Sequence, residues 1–404
     1  MSPASANNNA RLYFLDWVRI AAFFVLIFYH VGMYYVTWGW HVKSEFASDT
    51  AESYMMLSSP WRLGLLFLIA GVASRCMLAA TRPGAFLRQR SWRLLLPLVF
   101  GMLVIVPPQP YFEVIEKYAY QGSYADFMQL YLQRYRGFVS GAGQHLILPT
   151  WNHLWFVAYL WVYTMLIGAV TMVAGRHLDA LSQRAAQLLV GWKTLVLPAA
   201  VLALARIVLQ AHYPQTHDLV HDWYNHAVYL FLFLAGALLA RQGAFWAQLD
   251  DLRWTALAIA LACWALLKIC FSLPDGLVSA AQWEWLNPLH RAGWGLCQWS
   301  AIVAVCGFAH RHLQFDSVAR RYLGQAVFPV YIVHQTLIVS MAHALKPLRL
   351  APGIEAILLA VLTLTASFAV FEVVRRYAPL RPLFGLGAAA RPVAPALARM
   401  PAHA

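Results

Sequence analysis

The sequence predicts an all-α integral membrane protein, a polytopic bundle of about ten transmembrane helices with both termini cytoplasmic. Three observations carry that reading. Hydrophobic residues make up 61% of the 404 and charged residues only 12%, more apolar side chain than one soluble core can hold. The apolar residues gather in stretches of roughly 20, the length that crosses a hydrocarbon core of about 30 Å at 1.5 Å per residue. Basic and acidic residues alternate between successive connections as the positive-inside rule requires.

The spans fall near 14–36, 57–80, 93–112, 152–174, 194–212, 224–241, 254–273, 290–310, 325–345 and 354–374. The first has no small-residue cleavage pattern after it and is expected to be retained. The fifth and eighth carry internal charges, Arg206 and Arg291, which leaves the count open by one or two. With an inner N-terminus, about 20 of the 30 Lys and Arg fall at inner ends, loops or the tail. Arg75, Arg82, Arg88, Arg90 and Arg93 crowd one short connection. The opposite connections hold Glu45, Asp49, Glu52, Glu113, Glu116, Asp126, Asp218, Asp222, Asp275 and Glu284. Topology therefore accounts for the net charge of +13 with the lipid bilayer as partner and no nucleic acid.

One helical domain is expected over 11–386, after a loose polar opening (Met1 to Ala10) and before a loose cytoplasmic tail over 387–404 rich in Ala, Pro and Arg. The longest connection, roughly Glu113 to Thr150, is too short to fold well alone. It carries Tyr118, Tyr120, Tyr124, Phe127, Tyr131, Tyr135 and Phe138. An amphipathic interfacial helix is the plainer reading of these aromatics, and a sugar-binding platform the other. Cys76, Cys263, Cys270, Cys297 and Cys306 lack metal-ligand spacing and read as small core residues. His212, His217, His221 and His226, with Asp218 and Asp222, match no metal signature either. There is no Gly-rich phosphate loop and no Gly-x-Ser-x-Gly. Neither a metal nor a tightly bound cofactor is expected.

Ionisable groups at membrane depth are costly, so each is a candidate for function. Asp16, Arg19 and His30 stand in the first helix. Eleven steps at about 100° bring His30 to within about 20° of Arg19 on one face, roughly 16 Å away along the axis. That separation is comparable with an extended pantetheine arm, so a cytoplasmic acyl-CoA with its phosphates near Arg19 would present its thioester near His30. The plainer alternative is an Asp16–Arg19 ion pair at i,i+3 and a hydrogen-bonded core histidine. Arg88, Arg90 and Arg93 suit phosphate binding, or serve as a positive-inside anchor. His153 and mid-membrane His334 are candidates for an acceptor-side cavity, and Arg62, Arg206 and Lys268 for the same lining.

The run Leu15, Asp16, Trp17, Val18, Arg19 through His30 resembles the first helix of the membrane acyltransferase 3 family, where ten residues separate an arginine from a histidine. Arg90 and Arg93 match the family's second motif. Phe67 to Gly71 corresponds to its second helix, although Ile69 and Ala70 replace the usual leucine and serine. Phe328 to His334 resembles a late helix ending in tyrosine, two residues and histidine. His153 to Phe156, Tyr331 to Gln335 and Arg375 to Gly385 look most like the branch that succinylates periplasmic glucans, of the glucan biosynthesis protein C type. No esterase-like domain is expected after the last helix.

The resemblance implies a catalytic His30 acting as general base, with Asp16 beside Arg19 in the machinery. Arg19, Arg90 and Arg93 would hold the acyl donor, and His153 and His334 would shape the acceptor side. Acyl-CoA is then a co-substrate, and the acceptor is a hydroxyl on an extracytoplasmic glycan or another molecule. The implied setting is a bacterial inner membrane; no protein partner is indicated. The rival expectation is a secondary transporter or exporter that uses Arg19, His30 and His334 to bind an anionic solute or relay protons.

Overall fold

The computed structural model describes residues 12–140, 143, 145–273 and 279–387. The polar opening, Asp275 and all but the first position of the expected tail lie outside the described residues. In chain order the α-helices are α1 (Tyr13–Met33), the single turn α2 (Glu52–Met55), α3 (Arg62–Ala80), α4 (Pro83–Phe100), α5 (Pro108–Tyr118) and α6 (Tyr124–Leu132). They continue with α7 (Trp155–Leu188), α8 (Lys193–Leu209), α9 (Trp223–Leu239), α10 (Gly243–Phe271), α11 (Ala280–His312), α12 (Val318–Leu345) and α13 (Pro352–Arg376).

Every expected span overlaps these helices, the third taking in α4, the turn after it and α5. Among the described residues, 8 are long and apolar enough to cross a membrane. The others, α8 and α9, have 17 residues each, about 25 Å of helix. Each lies antiparallel along a longer neighbour. On α8, Ile207 accepts from Arg291 at 3.1 Å and Thr194 from the Trp299 indole at 2.6 Å, so the helix follows α11 along its length. On α9, Gly236 meets Leu68 and Phe233 meets Gly71 of α3.

The third span is not one regular helix. Pro97 sits within α4, a π-helical turn covers Gly101–Ile105, and Pro107 precedes α5. The wide turn pairs Val106 N–H with Gly101 O, which frees the Met102 carbonyl, and Gln109 N–H bonds Val106 rather than Ile105. In a bilayer, freed carbonyls must find partners inside the protein. Tyr131 Oη donates to Met102 O and Thr336 Oγ1 to Ile105 O, both at 2.7 Å. The break thereby carries Gln109 onto α12, beside Gln335 and Thr336.

The outer connection differs from both readings of its aromatics. Phe127, Tyr131 and Phe138 are buried with Val114 and Leu148 in a small core of their own, and the rings pack mainly edge-on or tilted against one another. They are neither an exposed sugar platform nor one continuous amphipathic face. Of the cysteines, Cys297 and Cys306 are buried as expected; Cys76 is instead exposed on the rim of α3, and all five are free thiols. The histidines before α9 are held apart by a loop tied to Asp222, which accepts from Tyr159 Oη at 2.6 Å and from the backbone N–H of His217 at 3.0 Å.

Helices α3 and α9 touch backbone to backbone. A Cβ on Gly71 would stand 1.9 Å from Phe233 O, and one on Gly236 2.0 Å from Leu68 O. Small residues permit such close approach between helices in lipid. Gly71→Leu should destabilise the protein by about 3 kcal/mol or more, since backbone cannot yield as a side chain does. Gly84→Leu, where nothing lies within 4 Å, should leave thermal unfolding in detergent close to native.

Candidate functional site

Helices α1 and α12 run parallel and are fastened at two levels. Near one end, Arg19 Nη2 donates to Gly324 O at 3.3 Å. Eleven residues on, His30 Nδ1 lies 2.7 Å from His334 Nε2. Arg19 and His30 stand on one unbroken helix, so the spacing read from periodicity, roughly 16 Å, holds in three dimensions.

The lower level opens into a cavity of about 320 Å³ lined by Arg19, Arg90 and Arg93, with Ala70, Met77 and the C-terminal Gly385 to Gly387 in its wall. Arg93 Nε donates to Gly385 O at 2.9 Å, which ties the segment after α13 to α4. Gly385 has φ +68°, and a Cβ there would strike the Phe328 ring at 2.4 Å. Arg90 Nε is buried without a hydrogen-bond partner. Three guanidinium groups line this one cavity, each charged and offering several fixed donors.

Asp16 lies below this level. It pairs with Arg320, which also binds Asp316, and its Oδ1 is 3.5 Å from Arg19 Nη2. Fourteen residues from His30, it is about 21 Å from the histidine along the helix and lines neither cavity. The geometry makes it a positioning residue for Arg19, in place of the catalytic one expected.

The upper level opens into a second cavity of about 660 Å³, lined by His30, His41, Arg62, His153, Tyr331 and Gln335 among others. His30 and His153 of this lining, with His334 behind it, are fixed by networks that also assign their protons. His334 is fully buried, and its Nδ1 faces Tyr331 O at 2.6 Å. A carbonyl only accepts, so Nδ1 carries the proton and Nε2 the lone pair. His30 must then donate from Nδ1, which leaves His30 Nε2 as a free base. His153 Nε2 donates to Ile332 O at 3.0 Å while its Nδ1 faces Gln109 at 3.3 Å. Tyr331 Oη closes this corner by donating to His153 O.

His41 is a site residue that the sequence reading missed. Its Nδ1 lies 2.6 Å from Glu113 Oε2, and Gln335 Nε2 donates to its Nε2 at 3.1 Å. Gln335 also donates to Gln109 Oε1 at 3.0 Å, as Asn152 does at 2.9 Å. No periodic signal marks His41, since it lies in the loop after α1 and its partners come from distant helices. Of the other charges expected in this cavity, only Arg62 reaches it. Arg206 packs on Trp294 at 4.0 Å and donates to Tyr224 Oη, and Lys268 sits over Tyr54 and Trp264. His217, in the loop at the rim, stacks on Trp155 at 4.2 Å, and burial holds its imidazole below the ordinary value against the pull of Asp222.

The two cavities share Leu66 and Phe156 in their walls. Phe23, from the lower cavity, packs against Tyr331, from the upper, at 5.5 Å. The partition is therefore about one side chain thick and apolar, and α1 passes through both compartments.

A basic cavity and a histidine cavity thus lie on either side of one thin wall. A family model described as an acyltransferase domain matches residues 12–372 of this chain. The chain belongs to the acyltransferase 3 family. It is an integral multi-pass membrane acyltransferase, as the motifs around Arg19, His30, Arg90 and Arg93 foretold. No curated protein and no solved structure matches it.

The tautomer assignment is directly measurable in this acyltransferase. In ¹⁵N NMR at neutral pH, with His30→Gln used to isolate the signal, His30 should be protonated on Nδ1 and bare on Nε2. His334→Phe should release that preference.

Proposed function

We propose that the protein transfers an acyl group, succinyl or acetyl, from cytoplasmic acyl-CoA to a hydroxyl of an extracytoplasmic glycan, with His30 as general base. The observation that carries this reading is the pair of cavities at two depths of one helix, one basic and one presenting a bare imidazole nitrogen.

In this account the basic end of the bundle is cytoplasmic and there are ten crossings with both termini inside, in a bacterial inner membrane. The parallel pairing of α1 and α12 supports an odd number of crossings counted from α1 through α12. Helices α8 and α9 therefore both cross or neither does, and their contact with α11 and α3 along their length favours both. Arg19, Arg90 and Arg93 bind the phosphates of CoA, and its pantetheine arm passes the Phe156 and Leu66 wall to bring the thioester into the upper cavity.

There the acceptor hydroxyl gives its proton to His30 Nε2 as its oxygen attacks the thioester carbonyl. The imidazolium so formed is steadied by its Nδ1–H bond to His334 Nε2. As the tetrahedral intermediate collapses, the C–S bond breaks and the sulfur leaves with the proton from His30, giving an ester and free CoA. The chain's own residues complete this proton balance, and the chemistry calls on no metal or bound cofactor. His153 and His41, each held through both ring nitrogens, shape the acceptor side of the cavity.

The test is release of free CoA from acetyl-CoA and succinyl-CoA by purified protein with glucan acceptors. His30→Ala should lower turnover about 10²- to 10⁴-fold with folding intact. Arg90→Ala should raise KM for acyl-CoA about tenfold or more, the scale of one charged hydrogen bond, with a smaller effect on kcat. Unchanged turnover in His30→Ala would remove His30 from the mechanism. Absence of CoA release with every donor would return the protein to the transporter reading.

A further inference from the structure

The acyl-transfer mechanism leaves one charged group in the upper cavity without work. Arg62, at the start of α3, is only 6% exposed and lines that cavity beside His30. Its guanidinium lies over the ring of Tyr29, the neighbour of His30, with Cζ 3.2 Å from the ring centroid. Its Nε and Nη1 are buried with no hydrogen-bond partner. Asp218, the carboxylate in the cavity lining, is instead taken up by His221, whose backbone N–H and ring lie 2.7 and 3.1 Å from it.

A buried cation without a counter-ion is expensive, several kcal/mol after relaxation, and a tyrosine face offsets only part of that. In a binding cavity, such a group is accounted for by an anionic ligand that completes it. The ligand must reach the upper cavity together with the thioester, since Arg62 and His30 face the same space. The CoA phosphates are already matched by the arginines of the lower cavity, on the far side of the Phe156 wall.

We propose that Arg62 binds a free carboxylate at the far end of the acyl group, making this enzyme selective for dicarboxylic acyl donors, of which succinyl-CoA is the simplest four-carbon case. This rests on the acyl-transfer reading above and narrows it. A saturated four-carbon acyl group lacking the carboxylate would leave the guanidinium buried without a counter-ion, its Nε and Nη1 unsatisfied, and a site built for a polar group rejects the analogue that lacks it more strongly than an apolar pocket rejects a missing methylene. Arg62 is thus a specificity-determining residue that holds the end of the acyl chain away from the reacting carbonyl.

The experiment compares succinyl-CoA with butyryl-CoA, equal in chain length, using a neutral glucan acceptor and purified protein. Native enzyme should prefer succinyl-CoA in kcat/KM by a hundredfold or more. Arg62→Gln should lose at least tenfold more kcat/KM with succinyl-CoA than with butyryl-CoA, and Arg62→Lys should fall between. Arg62→Met reports on folding separately. Removing an unpaired buried charge should leave its thermal midpoint equal to or above native, and succinate, which should raise the native midpoint, should not raise that of the variant.

An equal loss with both donors would overturn the proposal and place Arg62 at the oxyanion of the intermediate or in the packing. A native enzyme indifferent between the donors would overturn it too, as would selectivity that appears only with a phosphorylated acceptor, which would assign Arg62 to the acceptor's anion. Failure of the acyl-transfer reading itself looks different, since native protein would then release CoA from neither donor, and this proposal would fall with it.

Discussion

An imidazole buried among apolar helices needs a partner for each ring nitrogen or a cavity for the nitrogen left over, and that constraint arranges the outer half of this protein. His334 uses both nitrogens, one on a carbonyl of its own helix and one on His30. His30 is left with a single lone pair and the upper cavity to face. The same rule governs the backbone. Where the π turn and the prolines of the third span release carbonyls, Tyr131 and Thr336 take them up, and the irregular segment delivers Gln109 to the network that fixes His153 and Gln335. Irregular backbone at membrane depth is tolerated where protein, not lipid, surrounds it.

One helix lines both cavities. Because α1 is unbroken between Arg19 and His30, the distance between the arginine cavity and the histidine cavity is set by helical rise rather than by loops or side-chain choice. Parallel α12 repeats the two levels, with Gly324 beside Arg19 and His334 beside His30. The apolar wall of Leu66 and Phe156 keeps the compartments apart, so charge is confined to the ends of the path and the middle stays compatible with a thin, extended carrier arm. Close backbone contact of α3 with α9 through Gly71 and Gly236 holds one side of that wall in place.

Much of this was legible in the sequence, and the limits are physical. Span positions and the Arg19–His30 spacing follow from residue counts and helical geometry and carried over, although α7, α10 and α11 run to 34, 29 and 33 residues, well beyond the apolar stretches that marked them. Arg90 and Arg93 were readable as a motif, but their meeting with Arg19 depends on helix packing that no local pattern encodes. His41 and Glu113 lie in different segments and become a pair only when the loop after α1 folds against α5. Arg62 was seen as a charge at depth, yet Arg206 and Lys268 looked the same, and only contact with Trp294 or Tyr54 separates a packed cation from one facing the cavity. Asp16 was placed with the reacting groups because it neighbours Arg19 in sequence; the ion pair with Arg320 instead fixes it at the basic end. The aromatics of the outer connection were misread because composition does not reveal that rings bury one another.

The central claim is that one protein takes a donor at its basic end and finishes the transfer at the other. Sealed proteoliposomes with glucan trapped inside and acyl-CoA, labelled in the acyl group, added only outside would test this directly. The account predicts labelled glucan within the vesicles while free CoA accumulates outside, both abolished by His30→Ala. Labelled product and CoA on the same side of the membrane would contradict it.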